Sequence, residues 1–216
     1  MIRPLMIDLF CGAGGCSVGY ARAGFDVLGV DHVRQPEYPF DFVQADAMTY
    51  PLEGAEIVAA SPPCKRFTPL AHRHRSLRLF DHDDLLTPTL ARLRASGLPF
   101  VVENVPGSPM PDDAVLVCGS AFELRVRRHR LFASNLPIVG TTCRHDEQGE
   151  VVGVYGTGGA WDRTNHPGGG GRKVAGVDAA AALGVDWTAD QRRLSQMIPP
   201  AYTEWIGRQL YAMVAV

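Results

Sequence analysis

A cysteine behind two prolines is the residue of this sequence best suited to covalent chemistry. Pro62 and Pro63 stiffen the backbone directly before Cys64, and Lys65 begins a basic run immediately after it. The thiolate is the nucleophilic form of cysteine, and neighbouring cations lower the pKa of a thiol from its ordinary value of about 8.5. An inert buried thiol is the common alternative for this residue type. The basic neighbours favour a nucleophile, so we predict that Cys64 attacks a substrate.

A carboxylate and two guanidinium groups occur further along the chain. Glu103 and Asn104 follow an apolar run, and a partly buried glutamate has a raised pKa, which lets it hold or donate a proton near neutrality. By itself Glu103 is equally compatible with a helix cap. Arg128 and Arg130 flank His129, and on a strand the two arginines would point to the same face. The sequence therefore supplies a proton donor and two cations in addition to the predicted nucleophile.

A glycine-rich segment, DLFCGAGG at residues 8–15, predicts a ligand-binding turn between a strand and a helix. Glycines permit a tight turn and a close approach of backbone to a ligand. Gly12 and Gly14 also fit the first two positions of the dinucleotide pattern G-x-G-x-x-G, but Ser17 occupies the third. A nicotinamide-dependent oxidoreductase therefore stays open as an alternative. Asp31, at the end of the next strand, suits two ribose hydroxyls in either case.

The chemical residues share one position in the predicted secondary structure, the carboxyl end of an apolar strand. Strands are predicted at 5–10, 27–30, 42–45, 57–60, 100–102 and 115–117, and helices at 17–23, about 83–95, 189–196 and 202–214. This alternation predicts an α/β fold with a mostly parallel twisted sheet and helices on both faces. Open sheets of this class bind ligands at the carboxyl ends of their strands. The glycine-dense stretch 153–173 predicts a mobile loop or small lobe.

Composition and charge restrict the class of protein. The chain has 216 residues, 46% of them apolar and 20% charged, which is ordinary for a soluble globular protein with one substantial core. Its apolar runs are shorter than the roughly 20 residues that span a bilayer, so we expect a cytoplasmic protein without membrane association. The net charge of −2 excludes a uniformly basic nucleic-acid binder, but local clusters are able to meet phosphates. These clusters are Lys65, Arg66, Arg73, Arg75 and Arg78, and Arg125, Arg127, Arg128 and Arg130.

The five cysteines are scattered and include no CxxC pair, which argues against a disulfide framework and against a zinc knuckle. Cys143 and His145 offer two metal ligands, but no second pair stands at a convincing spacing in the sequence. We therefore expect a loop cysteine beside a surface histidine, and no metal site.

Taken together, the motifs resemble the DNA cytosine-5 methyltransferase family, and they occur in the family's order. Residues 8–15 look like the family's DLFxGxGG cofactor loop, and Pro63-Cys64 looks like its nucleophile motif. The segment 103–105, ENV, is similar to the ENV motif, and Arg128-x-Arg130 is similar to the RxR motif. The segment 195–200, SQMIPP, stands where the family has GNAVPP.

The sequence departs from the family pattern at several points. Lys65 replaces the usual glutamine after the nucleophile, and Val126 replaces the glutamine before RxR. Ser195 and Gln196 replace a Gly-Asn pair in the last motif. The stretch between Phe132 and Ser195, where the family carries its target-recognition region, is very short. Any DNA sequence that this region reads is therefore expected to be brief.

The resemblance implies a Rossmann-like, S-adenosylmethionine-dependent methyltransferase fold with a small, reduced target-recognition region. It divides the chain into a catalytic and cofactor-binding domain (1–138), a reduced target-recognition segment (139–186) and a C-terminal segment that returns to the catalytic domain (187–216). The implied reaction transfers a methyl group from S-adenosyl-L-methionine to carbon 5 of a cytosine and leaves S-adenosyl-L-homocysteine.

The implied mechanism gives each motif a role. Cys64 would attack carbon 6 of cytosine, Glu103 would interact with N3 and the exocyclic amine, and Arg130, helped by Arg128, would hold the carbonyl of the base. Pro63 and Asn104 complete the implied catalytic set. The implied cofactor-binding residues are Asp8, Phe10, Gly12, Gly14, Gly15, Asp31, His32, Asp46, Ala47, Pro62 and Gln196.

The implied partner is DNA, and the protein is expected to act as a monomer. A stacked base cannot reach such a pocket, so the target cytosine must flip out of the duplex or arrive single-stranded. An RNA cytosine-5 methyltransferase would share the chemistry. A non-catalytic DNA-binding module on the same scaffold would bind DNA without forming an adduct. The oxidoreductase alternative leaves the Pro62–Cys64 and RxR segments unexplained.

Overall fold

A seven-stranded sheet forms the centre of the fold. The computed structural model describes residues 3–64, 67, 84–156 and 172–215. The strands of the sheet are β1 (Leu5–Leu9), β2 (Asp26–Asp31), β3 (Asp41–Gln44), β4 (Ile57–Ala60), β5 (Phe100–Asn104), β6 (Val115–Val117) and β7 (Arg130–Ser134). Their order across the sheet is β3-β2-β1-β4-β5-β7-β6. Strands β1 to β5 pair in parallel, whereas β7 runs antiparallel to both β5 and β6. The mostly parallel sheet predicted from the sequence is confirmed.

Helices cover both faces of this sheet. The described α-helices are α1 (Gly15–Ala23), α2 (Leu86–Ser96), α3 (Gly176–Leu183), α4 (Gln191–Gln196) and α5 (Pro200–Val214). A short 3₁₀ helix at Gly119–Phe122 follows β6, and the pair β8 (Val152–Gly153) and β9 (Arg172–Lys173) forms a second, parallel sheet. Among the described residues, no helix has both the length and the apolar character needed to cross a membrane.

Alternation along the strands separates two cores. Met6 and Val101 point to the face covered by α1 and α5, and Ile7 and Val102 point to the opposite face, which packs against α2. This is the period-two pattern of a strand buried on both sides, and it explains why these strands are almost uninterrupted apolar runs.

Helix α1 packs against the C-terminal segment, including α5, without room for side chains at two of its glycines. A Cβ atom on Gly19 would lie 2.0 Å from Thr203 Oγ1 and 2.2 Å from the Pro200 carbonyl oxygen. A Cβ atom on Gly15 would lie 2.3 Å from the Ile198 carbonyl oxygen. The C-terminal segment therefore sits directly on the helix that follows the glycine-rich turn.

A third, smaller core lies beside the sheet and contains α3, α4 and β8. Ala179, Leu183 and Leu194 are fully buried there. The predicted loop or lobe at 153–173 is described only at its two ends, which form β8 and β9, because residues 157–171 lie outside the described residues.

Candidate active site

The carboxyl ends of the central parallel strands lie side by side. Leu9 of β1 pairs with Val30 of β2 and with Ala60 of β4, and Ala60 in turn pairs with Val102 of β5. Residues at or just after these strand ends are therefore neighbours along one edge of the sheet. They are Phe10, Asp31, Ser61, Pro62, Pro63, Cys64, Glu103 and Asn104.

Cys64 lies at this edge close to a buried ion pair. Cys64 is partly buried, and Glu103 is only 6% exposed. The Oε1 atom of Glu103 is 3.0 Å from Nε of Arg130, which begins the neighbouring strand β7. The Nε–H group of Arg130 has no hydrogen-bond acceptor among the described residues, so this contact is an attraction of charges and not an aligned hydrogen bond. The sheet thus brings together a thiol, a carboxyl group and a guanidinium group that lie far apart in the sequence.

The electrostatics of Cys64 combine opposing effects. Burial raises the pKa of the Cys64 thiol, the charge of Glu103 raises it further, and Arg130 and Arg128 oppose this increase. Removal from water outweighs the two described arginines, so the net shift is upward. Lys65 and Arg66, the cations on which the sequence expectation relied, lie outside the described residues, so lowering by those two cations stays a prediction.

Glu103 behaves as the sequence predicted. Burial raises the pKa of its carboxyl group, although Arg130 and a hydrogen bond from Ser61 act in the opposite direction. A carboxyl group in this environment is able to carry a proton closer to neutrality than an exposed glutamate does. A protonated Glu103 would no longer raise the pKa of Cys64, so the two groups are coupled.

Asn104 fixes the loop that carries the nucleophile. Its side chain is fully buried, its Nδ2 donates to the Pro62 carbonyl oxygen at 3.0 Å, and its Oδ1 accepts from the Val105 amide at 2.9 Å. Beyond Cys64, the Phe67 amide donates to the Cys64 carbonyl oxygen at 2.9 Å. The buried Pro62 and the Asn104 amide therefore hold the loop at the end of β5, next to Glu103. Both Pro62 and Asn104 have a positioning role here.

The glycine-rich turn is held open by left-handed backbone and by one carboxylate. Phe10, Gly12 and Gly14 have φ values of 57°, 50° and 88°. Asp31 accepts from the Gly12 amide at 3.0 Å through Oδ2 and from the Val33 amide at 2.9 Å through Oδ1. A carboxylate has about four lone-pair positions, so Asp31 keeps capacity for further donors such as ribose hydroxyls.

Asp8 and Gly15 do not face the open side of this turn. Asp8 is fully buried beneath it and accepts from Ser17 Oγ at 2.5 Å, while the Tyr38 hydroxyl donates to Ser17 Oγ at 2.8 Å. Gly15 is in contact with Ile198 in the C-terminal segment. Both are predicted to bind the cofactor. The burial of Asp8 gives its side chain a positioning role instead, whereas a contact of Gly15 with the cofactor stays a prediction.

The other predicted cofactor residues lie at different depths. Asp46 is exposed and accepts from the Met48 amide at 2.9 Å, and His32 is exposed with Nδ1 3.3 Å from Asp31 Oδ1. Ala47 is only 3% exposed and belongs to the core beside α2, so its side chain does not reach an open crevice. Gln196 is exposed at the end of α4.

Arg128 is the largest correction to the predicted site. It has a φ of 31° and precedes β7, so it does not share one face of a strand with Arg130, as the sequence had suggested for a strand through both arginines. Its guanidinium group donates to the carbonyl oxygens of Ser195 at 2.6 Å and Val154 at 2.8 Å, and also to those of Leu194 and Met197. Burial lowers its pKa to about 10, which leaves it charged at neutral pH. Arg128 therefore fastens the C-terminal segment and is not available to a substrate in this conformation.

Two aromatic residues that belong to none of the sequence motifs also position the backbone of the site. Trp187 Nε1 donates to the Ala13 carbonyl oxygen in the glycine-rich turn at 2.9 Å. The Tyr202 hydroxyl donates to the Arg128 carbonyl oxygen at 2.9 Å. No local motif marks either residue, because each acts on a backbone atom that is remote in sequence. The only signal was the return of helical periodicity near the C-terminus.

No family model matches the chain, but curated relatives do. The Type II methyltransferase M.XorII of Xanthomonas oryzae is 29% identical over 128 residues, which cover 50% of this chain and 29% of that protein. M.HgiDI and M.HgiGI of Herpetosiphon aurantiacus, also Type II methyltransferases, are 32% and 29% identical over 85 residues, which cover 28% and 68% of those proteins. The matched segments thus span less than a third of M.XorII and of M.HgiDI.

Solved structures resemble the chain over nearly its whole length. A protein described as a DNA modification methyltransferase encoded within an E. coli prophage superposes with a TM-score of 0.62 over 99% of this chain and 100% of that one, at 16% identity. The E. histolytica methyltransferase EhMeth gives 0.54 at 11% identity, again over 99% of this chain and 96% of that one. The chain has a methyltransferase fold. S. pombe Dnmt2 methyltransferase, with a TM-score of 0.52 and 14% identity over 99% of this chain and 96% of its own, supports the same fold.

Proposed function

We propose that this chain is a DNA cytosine-5 methyltransferase in which Cys64 forms a covalent bond to carbon 6 of the target cytosine. The observation that carries the proposal is the meeting of Cys64, Glu103 and Arg130 at the strand ends of a methyltransferase fold, beside a glycine-rich turn. The Type II methyltransferases that share sequence with the chain support DNA as the substrate.

The geometry of the turn after β1 supports S-adenosyl-L-methionine as the cofactor of this proposal. Left-handed backbone at Phe10, Gly12 and Gly14 opens the turn, and the Asp31 carboxylate at its rim has lone pairs left for ribose hydroxyls. Asp46, which is exposed just after β3, would accept from an adenine amino group. When bound, the cofactor supplies the electrophilic methyl group, and it leaves as S-adenosyl-L-homocysteine.

The residues of the chain account for the activation of the base. The thiolate of Cys64 adds to carbon 6, and this addition increases the nucleophilic character of carbon 5. Glu103, whose pKa is raised by burial, is able to give a proton to N3 of the base as negative charge develops there. Arg130 orients the Glu103 carboxyl group through their 3.0 Å contact.

Proton transfer from Glu103 to the base and formation of the thiolate need to be coordinated. The charged form of Glu103 raises the pKa of Cys64, so the thiolate is disfavoured while Glu103 is ionised. Binding of the base with Glu103 protonated removes that repulsion. We infer that the nucleophile is activated mainly after the flipped base is in place, which protects the thiol from side reactions in the free protein.

Covalent trapping tests the proposed function. DNA that contains 5-fluorocytosine should form a stable adduct with the protein in the presence of S-adenosyl-L-methionine, because fluorine at carbon 5 prevents the final loss of a proton. Cys64→Ser should abolish the adduct, and DNA with ordinary cytosine should not accumulate it. An equal yield of adduct in the serine variant would exclude Cys64 as the nucleophile. Trapping on fluorinated RNA but not on DNA would replace DNA by RNA as the substrate, and tight DNA binding with no adduct would indicate a non-catalytic module.

A further inference from the structure

Four metal-ligating side chains meet on the side of the sheet where β6 and β7 lie. Cys118 Sγ is 3.3 Å from His145 Nε2, and His129 Nε2 is 3.3 Å from Cys143 Sγ. One ligand atom from each of these four residues lies within 4.8 Å of all the others. The sequence alone marks only Cys143 and His145 as possible ligands and predicts no metal site there. The fold supplies the second pair.

These ligands come from three separate segments. Cys118 follows β6, His129 precedes β7, and Cys143 and His145 belong to the loop that follows β7. Backbone contacts align that loop independently of the ligand side chains. The Thr141 amide donates to the Leu116 carbonyl oxygen at 2.8 Å, and the Arg144 amide donates to Ser120 Oγ at 3.0 Å. The meeting of the four side chains is therefore a consequence of the backbone arrangement.

The dimensions of the cluster fit a tetrahedral zinc ion. Zinc binds cysteine sulfur at about 2.3 Å and histidine nitrogen at about 2.0 Å, so the sulfur-to-nitrogen edge of a tetrahedral site is about 3.5 Å. The two sulfur-to-nitrogen distances of 3.3 Å agree with that edge.

A disulfide or isolated hydrogen bonds would each explain only part of the cluster. A disulfide between Cys118 and Cys143 would leave the approach of both histidines without a cause. Two separate thiol–imidazole hydrogen bonds would not require all four ligand atoms to lie within 4.8 Å of one another. Two sulfur and two nitrogen ligands form the usual donor set of a structural zinc site, and a site closed by four protein ligands leaves no position for a substrate.

We propose that Cys118, His129, Cys143 and His145 bind a structural zinc ion. His129 lies between Arg128 and Arg130, and Cys118 Sγ also contacts the Arg127 carbonyl oxygen at 3.2 Å. The ion would therefore fix the backbone from which Arg130 reaches Glu103 and Arg128 reaches the C-terminal segment. This is a positioning role, and it does not depend on the reaction proposed above.

The test is the metal content of the purified full chain, measured by mass spectrometry of the elements. The wild-type protein should contain about one zinc ion per chain, as a closed four-ligand site binds a single ion. The double variant Cys143→Ser/His145→Asn should lose the zinc. Cys64→Ser and His32→Asn, which remove a thiol and an imidazole outside the cluster, should retain it. Zinc-free wild-type protein, or zinc retained in the double variant, would overturn the proposal.

Cobalt substitution keeps the test decisive if the double variant fails to fold. Wild-type protein purified from cobalt-supplemented medium should show the near-ultraviolet charge-transfer absorption of a cobalt–thiolate bond. The same absorption should persist in Cys64→Ser and weaken in the single variant Cys143→Ser. A disulfide between Cys118 and Cys143, detected by mass spectrometry of the protein purified without reductant, would contradict the metal site. Neither measurement involves methyl transfer, so failure of this proposal is distinguishable from failure of the proposed function.

Discussion

At the scale of single residues, the site contains ionisable side chains that are buried away from water. Glu103 and Asp8 are both buried carboxyl groups with raised pKa values, but they occupy different environments. Glu103 faces Arg130 near the nucleophile, whereas Asp8 lies beneath the glycine-rich turn with a hydroxyl group as its partner. The first is suited to transfer a proton to a ligand, and the second affects the stability of the fold.

The coupling between Glu103 and Cys64 predicts opposite effects of two substitutions. Because ionised Glu103 raises the pKa of Cys64, Glu103→Gln should shift the alkylation of Cys64 by iodoacetamide to lower pH. Because Arg130 lowers the pKa of Cys64, Arg130→Gln should shift it to higher pH. Although its thiol is more reactive, Glu103→Gln should trap fluorinated DNA about 10²–10⁴-fold more slowly, since the proton donor to the base is lost.

Peptide mass spectrometry of Cys64 as a function of pH measures the two alkylation profiles. Shifts in the same direction for both variants would show that the substitutions act through the packing of the loop and not through charge.

Asp8 predicts a dependence of folding stability on pH. Burial, more than any other cause, raises its pKa from 3.8 to about 7, and its Oδ1 has no hydrogen-bond partner among the described residues. Between these two values the folded state holds a proton that the unfolded state has released. Stability therefore falls as the pH rises through this window, by about 4 kcal/mol in total for a shift of this size. Asp8→Asn should remove this loss.

Urea unfolding of the wild type and of Asp8→Asn at pH 5 and pH 8 checks the prediction. The variant should gain stability relative to the wild type as the pH rises. Asp26→Asn, the same chemical change at an exposed position of β2, should leave the pH dependence of the wild type unaltered. A constant difference between wild type and Asp8→Asn across the range would contradict a buried carboxyl group that titrates there.

At the scale of elements, local sequence patterns located the strands and the positions of their ends. The predicted β4 and β6 agree with the structure at both ends, and β1, β2 and β3 agree within one residue. Apolar runs are sufficient for this because each of the central parallel strands is buried on both faces. A strand was considered at 128–132 only for its two arginines, and neither the bounds nor the antiparallel direction of β7 was predicted, since its sequence, RLFAS, carries no turn signal that would indicate its direction.

The same limit applies to residue roles within elements. Sequence spacing placed Asp31, Cys64 and Glu103 at strand ends, because this position follows from the boundary of one apolar run. It failed for Arg128, because the roles of an arginine outside a strand depend on carbonyl groups of a segment more than sixty positions away. Spacing also did not bring Cys118 and His129 together with Cys143 and His145, because these side chains come from three segments that meet only in the fold.

The close contact between α1 and α5 predicts that one added methyl group at Gly19 lowers the free energy of unfolding. Gly19→Ala improves helix propensity by about 1 kcal/mol, but its Cβ would overlap the Pro200 carbonyl oxygen and the Glu204 amide nitrogen, at 2.2 Å and 2.7 Å. These are backbone atoms that cannot rotate away, so we expect a net loss of about 1–3 kcal/mol in the free energy of unfolding.

Urea denaturation provides the measurement, and Gly149→Ala is the matched control. A Cβ on Gly149 meets no atom within 4 Å, so that variant should stay within about 0.5 kcal/mol of the wild type. Equal stability of Gly19→Ala and the wild type would mean that the two helices are able to move apart without cost.

At the scale of the whole molecule, the C-terminal third returns to the turn and to the sheet at several separate points. Trp187 donates to Ala13 in the glycine-rich turn, Arg193 pairs with Glu37 in the connection between β2 and β3 at 2.6 Å, and α5 packs on α1. Arg128 adds a central connection from the β7 side. Residues that approach the proposed cofactor and those that approach the base are thus held by one C-terminal segment, which links the stability of the fold to the geometry of the site.

This arrangement predicts that the two arginines of the RxR motif separate into different functions. Arg128→Lys should lower the free energy of unfolding by about 2–3 kcal/mol, because hydrogen bonds to a charged group contribute about 1.5–3 kcal/mol each and lysine cannot reach all of the carbonyl oxygens that the guanidinium fork binds. In the wild-type protein the Arg130 guanidinium group makes one backbone hydrogen bond, to the His129 carbonyl oxygen, and Arg130→Lys keeps a positive charge near Glu103. It should therefore unfold at nearly the same urea concentration as the wild type while trapping fluorinated DNA more slowly, since the orientation of the Glu103 carboxyl group is altered. Unfolding curves and trapping rates for the two variants test this separation directly. Equal losses of stability in both variants would contradict the separation, and a stable Arg128→Lys that fails only in trapping would return Arg128 to the catalytic role that the sequence motif implied.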